Sequence, residues 1–149
     1  MKTELVTYTC ANCANVFDAP SLGEGTYGEF LLWSKSGQVA HLNAFEDSTY
    51  KEVSNFLEKN PKVHGLQPLE KAKILRHVYG GVACDLDENG LPFEIGALPP
   101  CKKCGSQKMS SWTFKNPPEI VEVPIPSVTH IRWNALIDSE KQDLVEAAQ

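Results

Sequence analysis

Short apolar runs separated by turn residues make up the first third of the chain, and this pattern is typical of β-strands. Residues 5–17 read as a strand, a turn and a second short apolar run. Residues 29–33 and 38–45 read as two strands joined by Lys35-Ser36-Gly37, and this arrangement predicts a β-hairpin. Both hairpin strands are apolar at most positions, so we expect both of their faces to be covered by other parts of the chain.

The period then changes to that of α-helices. One helix is predicted where apolar residues recur about one helical turn apart and a proline ends the run, at Tyr50, Val53, Phe56, Leu57 and Pro61. A second helix is predicted from Pro68 to Tyr79, with Gly80-Gly81 as its stop. Short strands are expected over 82–86 and 91–95. Residues 14–100 therefore include a β-β-α-α unit.

The last third of the chain combines a strand, a proline-rich segment and a helix. Residues 109–114 alternate like a strand. Residues 117–149 hold short proline-bounded strands, which suit sheet edges, and a C-terminal helix from Asp138 to Ala148. The prolines of this segment predict an arm or linker. Taken together, the elements predict an α+β fold with an antiparallel sheet, a β-β-α-α insertion and a C-terminal helix.

Two cysteine pairs carry the clearest chemical signal. Cys10 and Cys13, like Cys101 and Cys104, are separated by two residues, the spacing at which a tight turn directs both sulfurs to one point. Two such turns together supply four thiolates, the closed ligand set of a structural zinc site. Gly105 directly follows the second pair and permits the positive φ that such a turn needs. We therefore predict one structural Zn²⁺ per chain, bound by these four cysteines.

The two cysteine stretches resemble the knuckles of the zinc-ribbon superfamily, in its rubredoxin-like form. The resemblance covers residues 5–18 and 98–115 and implies a zinc-ribbon-like antiparallel sheet. Residues 14–100 lie between the knuckles, whereas about 15–20 residues are usual there. A several-fold longer loop costs only about 1–2 kcal/mol more to close, and zinc binding contributes on the order of 10 kcal/mol. We therefore interpret residues 1–149 as a single zinc-binding domain with a long insertion.

Two other interpretations of the cysteine pairs remain open at this point. Disulfides belong to oxidising compartments, and no apolar run of signal-peptide length follows Met1, so we expect a reduced, cytoplasmic protein. A redox-active pair is expected at a helix N-terminus near a βαβ unit. The Cys10 pair lies instead between two strand-like runs. Structural zinc is therefore the favoured interpretation.

The charge of the chain is unevenly distributed. The formal net charge is −5, which argues against a general affinity for nucleic acid. Residues 14–100 carry 12 acidic against 7 basic residues, and residues 117–149 carry 6 against 2. Residues 101–116 carry four lysines and no acid, with two aromatic residues among them. This basic aromatic stretch consists of Lys102, Lys103, Lys108, Trp112, Phe114 and Lys115.

The favoured functional hypothesis is a non-enzymatic protein-binding module whose acidic character fits a basic partner protein, such as a toxin that it neutralises. The hypothesis rests on the charge and on the absence of a readable catalytic or nucleotide-binding signature. The alternative is a nucleic-acid-binding zinc-ribbon regulator, which the resemblance implies and which the basic aromatic stretch would serve.

No run approaches the roughly 20 apolar residues of a membrane span, so no membrane association is expected.

A third hypothesis is an enzyme that uses Cys84 or a histidine. Cys84 has no partner at a motif spacing, and a free cysteine is commonly a small buried apolar residue. His41, His64, His77 and His130 follow no recognisable catalytic order. We therefore expect Cys84 to be packed in a core, and His41 to be a hydrogen-bonded core residue rather than a ligand.

Overall fold

The computed structural model describes residues 1–23 and 25–149, which form two antiparallel sheets and a group of helices. Within this described part there are seven strands and five helices. The strands are β1 (Lys2–Cys10), β2 (Val16–Ser21), β3 (Glu29–Trp33), β4 (Val39–Asn43), β5 (Glu94–Ile95), β6 (Met109–Phe114) and β7 (Ile120–Glu122). The helices are α1 (Ser48–Glu58), α2 (Pro61–His64), α3 (Pro68–Ala83), α4 (Ile131–Asn134) and α5 (Asp138–Ala147). The predicted α+β fold class, with antiparallel sheets and a C-terminal helix, is confirmed.

Strand β1 is the centre of the first sheet. It pairs antiparallel with β2 on one side, and with β6 and β7 in succession on the other. Val6, Tyr8 and Cys10 are buried, because alternate side chains of a strand point to the same face. Cys10 is the last residue of β1. The alternation that buries Val6 and Tyr8 therefore also places the sulfur of Cys10 on the inner face.

The second sheet is the predicted hairpin of β3 and β4, extended by β5 on the other edge of β3. Leu32 and Leu42 face inward and are almost fully buried. They pack with residues of α1, α3, α4 and α5 into the larger core, which includes Val53, Phe56, Leu57, Leu75, Val78, Tyr79, Trp133 and Val145. None of the helices in the described part of the chain is both long and apolar enough to cross a membrane.

Helix α3 is longer than the sequence pattern predicts. We expected Gly80-Gly81 to end it at Tyr79, but it continues to Ala83. A Cβ atom on Gly80 would lie only 2.0 Å from the carbonyl oxygen of Phe93. Glycine is therefore required there by the close approach of a neighbouring segment, not by a helix stop. The strand predicted over residues 82–86 is wrong, because α3 continues to Ala83 and Cys84 caps it.

The C-terminal segment belongs to the core and is not an arm, contrary to the expectation from its prolines. Trp133 of α4 and Val145 of α5 are both 0% exposed. The indole of Trp133 meets the ring of Phe56 edge-on, with 5.9 Å between ring centroids. Lys141 places its ammonium group 5.1 Å from the centre of the Trp133 ring. Burial of these large apolar groups, rather than local proline content, decides where the segment lies.

Polar contacts also bind this segment to the helices. Asp85 accepts hydrogen bonds from the backbone N–H groups of Ile131 and Arg132, both at 2.8 Å. These are donors in the first turn of α4 that have no partner inside the helix. Nε2 of His130 lies 2.8 Å from Oδ2 of Asp47, the residue that caps α1. The C-terminal segment is thus held by both apolar packing and hydrogen bonds.

We expect Trp133→Ala to lower the free energy of unfolding by about 3–5 kcal/mol, because it removes a fully buried aromatic side chain. The matched control is Trp112→Ala on β6, where the indole is 54% exposed and the expected loss is below about 1 kcal/mol. Urea unfolding of both variants measures the difference. Equal and small losses would show that residues 117–149 are not part of the cooperative core.

Candidate metal centre

The four cysteines of the two pairs lie together at one end of the first sheet. Every two of the Sγ atoms of Cys10, Cys13, Cys101 and Cys104 lie within 4.8 Å of each other. Sγ of Cys10 is 3.5 Å from Sγ of Cys104, and Sγ of Cys13 is 3.6 Å from Sγ of Cys101. In residues 1–23 and 25–149, no other group of three or more Cys, His, Asp or Glu side chains is gathered in this way. All four residues predicted as ligands are therefore brought together.

The first turn is built from backbone hydrogen bonds that follow directly from β1. The N–H of Ala14 donates to the carbonyl of Cys10 at 3.0 Å, and the N–H of Cys10 donates to the carbonyl of Asn15 at 2.9 Å. Ala14 has a φ of 62°, in the left-handed region that residues other than glycine seldom adopt. The chain thereby reverses into β2 while the sulfurs of Cys10 and Cys13 converge.

The second turn repeats this construction residue for residue. The N–H of Gly105 donates to the carbonyl of Cys101 at 2.9 Å, and the N–H of Cys101 donates to the carbonyl of Ser106 at 2.8 Å. Gly105 has a φ of 79°, as predicted from its position. The chain then enters β6, whose Met109 lies opposite Cys10 of β1. The pairing of β6 with β1 therefore holds the second turn beside the first.

Several N–H groups point at the sulfurs. The backbone N–H of Asn12 lies 3.3 Å from Sγ of Cys10, and that of Lys103 lies 3.4 Å from Sγ of Cys101. The side-chain amides of Asn12 and Asn15 reach across to the second pair, at 3.5 Å from Cys104 and 3.6 Å from Cys101. Such donors favour the thiolate form that metal ligation requires. The role of these two asparagines was missed, although the repeated Cys-Ala-Asn triplet of residues 10–15 signals it.

Neighbouring sulfurs of the cluster differ in acidity. Backbone hydrogen bonds from Cys104 and Lys103 lower the pKa of Cys101 to about 6, against the effect of desolvation. A backbone hydrogen bond from Asn15 favours the Cys13 thiolate, but desolvation and the three neighbouring sulfurs outweigh it and raise the pKa of Cys13 to about 12. Closely packed thiols cannot all ionise without a cation among them. The cluster therefore has the electrostatic character of a site for a positive ion.

The sulfur positions fit a tetrahedral metal ion. Four sulfurs at a metal distance of about 2.3 Å lie about 3.8 Å from one another. The two cross-turn contacts of 3.5 and 3.6 Å are close to that spacing. Cys10 and Cys101 are buried, whereas Cys104 is exposed at the rim. The four residues can hold a metal ion with four protein ligands, and this agrees with a zinc-ribbon-like site.

Cys84 lies outside this cluster, at the C-terminal end of α3. It is 2% exposed and packs in the larger core, as predicted. Burial is the main cause that raises its pKa to about 12. A thiol that stays protonated and enclosed at neutral pH is a poor nucleophile. The geometry therefore gives no support to Cys84 as a catalytic residue.

The histidines are dispersed over the structure. His41 lies in strand β4 of the second sheet and is half-buried, and its Nε2 lies 2.8 Å from Oε1 of Glu29. The expected hydrogen bond is present, but His41 lies at the margin of the larger core rather than within it. His64 contacts Glu58 at 3.2 Å on the surface, and His77 is exposed on α3. His130 contacts Asp47 and helps to hold the C-terminal segment. These contacts are those of structural or surface histidines.

Some lysines of the basic aromatic stretch contact other residues of the protein, whereas its aromatic rings are exposed. Lys102 donates to the carbonyl of Asp18 at 2.8 Å, and Lys115 forms an ion pair with the Asp18 carboxylate at 3.0 Å. Trp112 and Phe114, in contrast, are 54% and 58% exposed on β6. Two of the four lysines are thus engaged within the protein, while the aromatic rings face solvent.

Comparison with family models, curated proteins and solved structures finds no match to this chain. The likeness to zinc ribbons therefore rests on the two cysteine turns and their meeting in space.

Cys101→Ser tests whether the cluster holds a metal that stabilises the fold. We expect this variant to lose bound metal and more than about 3 kcal/mol of unfolding free energy, since metal binding is coupled to folding. Cys84→Ala is the matched control, because it removes a buried thiol outside the cluster; metal content should stay unchanged, with a loss of about 1 kcal/mol. Elemental analysis and urea unfolding provide the measurements. Full metal content and stability in Cys101→Ser would contradict the site.

Proposed function

We propose that this protein is a non-enzymatic module, stabilised by one zinc ion per chain, that binds a partner protein. The single observation that carries the zinc assignment is the convergence of four cysteine sulfurs within 4.8 Å. Thiolate ligands in a tetrahedral set suit zinc. Cys10, Cys13, Cys101 and Cys104 would fill all four positions, which leaves no place for a catalytic water. A structural role for the ion follows from this closed ligand set.

An exposed apolar surface on the first sheet supports the protein-binding part of the proposal. Trp112, Phe114 and Ile120, which we call the open face, are 54%, 58% and 58% exposed. Trp112 lies opposite Tyr8 and Phe114 opposite Val6, so these rings extend the buried face of the sheet beyond its covered part. Contiguous exposed apolar residues are typical of protein interfaces. Tryptophan is also among the residues that contribute most to binding energy there.

The charge of the remaining surface favours a basic partner. The 14–100 insertion carries a net −5, and Glu46, Glu70, Glu88 and Glu94 are exposed on it. A negative surface attracts a basic protein and accelerates its association, most strongly at low ionic strength. A basic toxin that this protein masks is one partner of that chemistry. In this proposal the open face provides binding energy, and the acidic surface accelerates association with the partner.

Binding of single-stranded nucleic acid is the second candidate. Exposed Trp112 and Phe114 stand two residues apart on a strand, an arrangement on which bases can stack. Lys108 is exposed and adjoins this strand. The engagement of Lys102 and Lys115 by Asp18 reduces the cationic surface available for phosphates. Protein binding therefore ranks first.

The test begins with immobilised wild-type protein, in reducing buffer with zinc, used to capture its partner from a native cell extract. Binding of the purified partner is then measured with variants. Trp112→Ala should weaken the complex at least about tenfold without unfolding the protein. Glu70→Lys combined with Glu94→Lys should slow association at low salt, whereas Lys103→Glu, the control, should not.

A labelled single-stranded oligonucleotide provides the opposing arm of the test. We expect no measurable binding to it at physiological salt, because the net charge of −5 opposes phosphate contacts. Micromolar or tighter binding that Lys108→Glu abolishes would replace the protein-binding proposal with the second candidate. A captured partner whose affinity is unchanged by every variant would show that the interface lies elsewhere.

A further inference from the structure

We infer that Cys104 is a site of oxidation by peroxides and that Cys10 is the thiol that closes a disulfide with it. This inference rests on the proposed function, since it concerns the regulation of the same cysteine cluster. Cys104 is the exposed member of the cluster, whereas Cys10 is 2% exposed. Oxidation of cysteines depends on their exposure and thiolate character. We therefore expect a small oxidant to react with Cys104 first.

The sulfur expected to form the disulfide with Cys104 is inferred from a short sulfur–sulfur distance. Sγ of Cys10 lies 3.5 Å from Sγ of Cys104, on the neighbouring turn. The side-chain amide of Asn12 also lies 3.5 Å from Sγ of Cys104. The remaining two cysteines form an equivalent contact, with 3.6 Å between Sγ of Cys13 and Sγ of Cys101. Both of these close contacts cross between the turns, and from them we expect crossed disulfides.

The chemistry needs one peroxide for each disulfide. The Cys104 thiolate attacks one peroxide oxygen and the O–O bond breaks; hydroxide leaves, takes a proton to become water, and Cys104 becomes a sulfenic acid. The Cys10 thiolate then attacks Sγ of Cys104, the S–O bond breaks, and a second hydroxide leaves as water after protonation. Two thiols and one hydrogen peroxide thus yield one disulfide and two waters. Two electrons pass from sulfur to oxygen.

Oxidation of this kind removes the ligands of the metal but keeps the two turns joined. A Cys10–Cys104 disulfide links residues 94 positions apart, and Cys13–Cys101 links residues 88 positions apart. Covalent closure of such long loops restricts the unfolded chain and so stabilises the fold. The first sheet would therefore keep its two turns together after losing zinc. A thiol reductant and added zinc would restore the original state.

The experiment treats the full-length, zinc-loaded protein with one to two equivalents of hydrogen peroxide. Released zinc is followed with a colorimetric chelator, free thiols are alkylated, and peptide mass spectrometry maps the disulfides. We expect Cys10–Cys104 to form first, Cys13–Cys101 to follow, and zinc release to accompany the first disulfide. The Cys84→Ala variant, as control, should give the same map and the same release, because Cys84 is buried outside the cluster.

Disulfides within the turns, Cys10–Cys13 and Cys101–Cys104, would overturn the inference. Oxidation of Cys104 to a sulfinic acid with no disulfide would overturn it as well. Elemental analysis before peroxide treatment keeps the two proposals apart: absence of zinc there contradicts the proposed function. The disulfide map of that metal-free protein would still decide which sulfurs react with each other.

Discussion

The meeting of two cysteine turns across the β1–β6 pair is the constraint on which the first sheet depends. The turns are separated by residues 14–100, yet their four sulfurs lie within 4.8 Å of one another. Backbone hydrogen bonds shape each turn, and strand pairing sets the turns side by side. A metal ion among the sulfurs would relieve their mutual repulsion and fix both ends of the insertion, so its binding energy would become folding energy.

The larger core shows why the insertion does not weaken this arrangement. Residues 14–100 supply their own hairpin and helices, and α4 and α5 complete the core with Trp133 and Val145. Since the inserted elements fold against the C-terminal segment, they hold their own ends near the cysteine turns and reduce the entropy lost on closure. Metal binding, and the proposed oxidation and partner binding, would therefore act on a first sheet whose two cysteine turns already lie side by side. Trp112, Phe114 and Ile120 of the open face are not part of the larger core.

Local signals in the sequence predicted most of the fold, and the errors have a common physical cause. Periodicity, caps and spacing predict the β3–β4 hairpin, helices α1, α3 and α5, and the two cysteine turns. Gly80 was misjudged because its role is set by the carbonyl of Phe93, a contact distant in sequence. The C-terminal segment was misjudged because its prolines are local, whereas the burial of Trp133 is a tertiary effect. The support given by Asn12 to Cys104 is tertiary too.

X-ray absorption at the metal edge tests the central claim most directly, on protein purified under reducing conditions. The account predicts one zinc per chain, surrounded by four sulfurs at about 2.3 Å, with no nitrogen or oxygen in the shell. A shell that contains oxygen or nitrogen would contradict the closed set of Cys10, Cys13, Cys101 and Cys104. So would iron in place of zinc, or a fully folded protein that carries no metal at all.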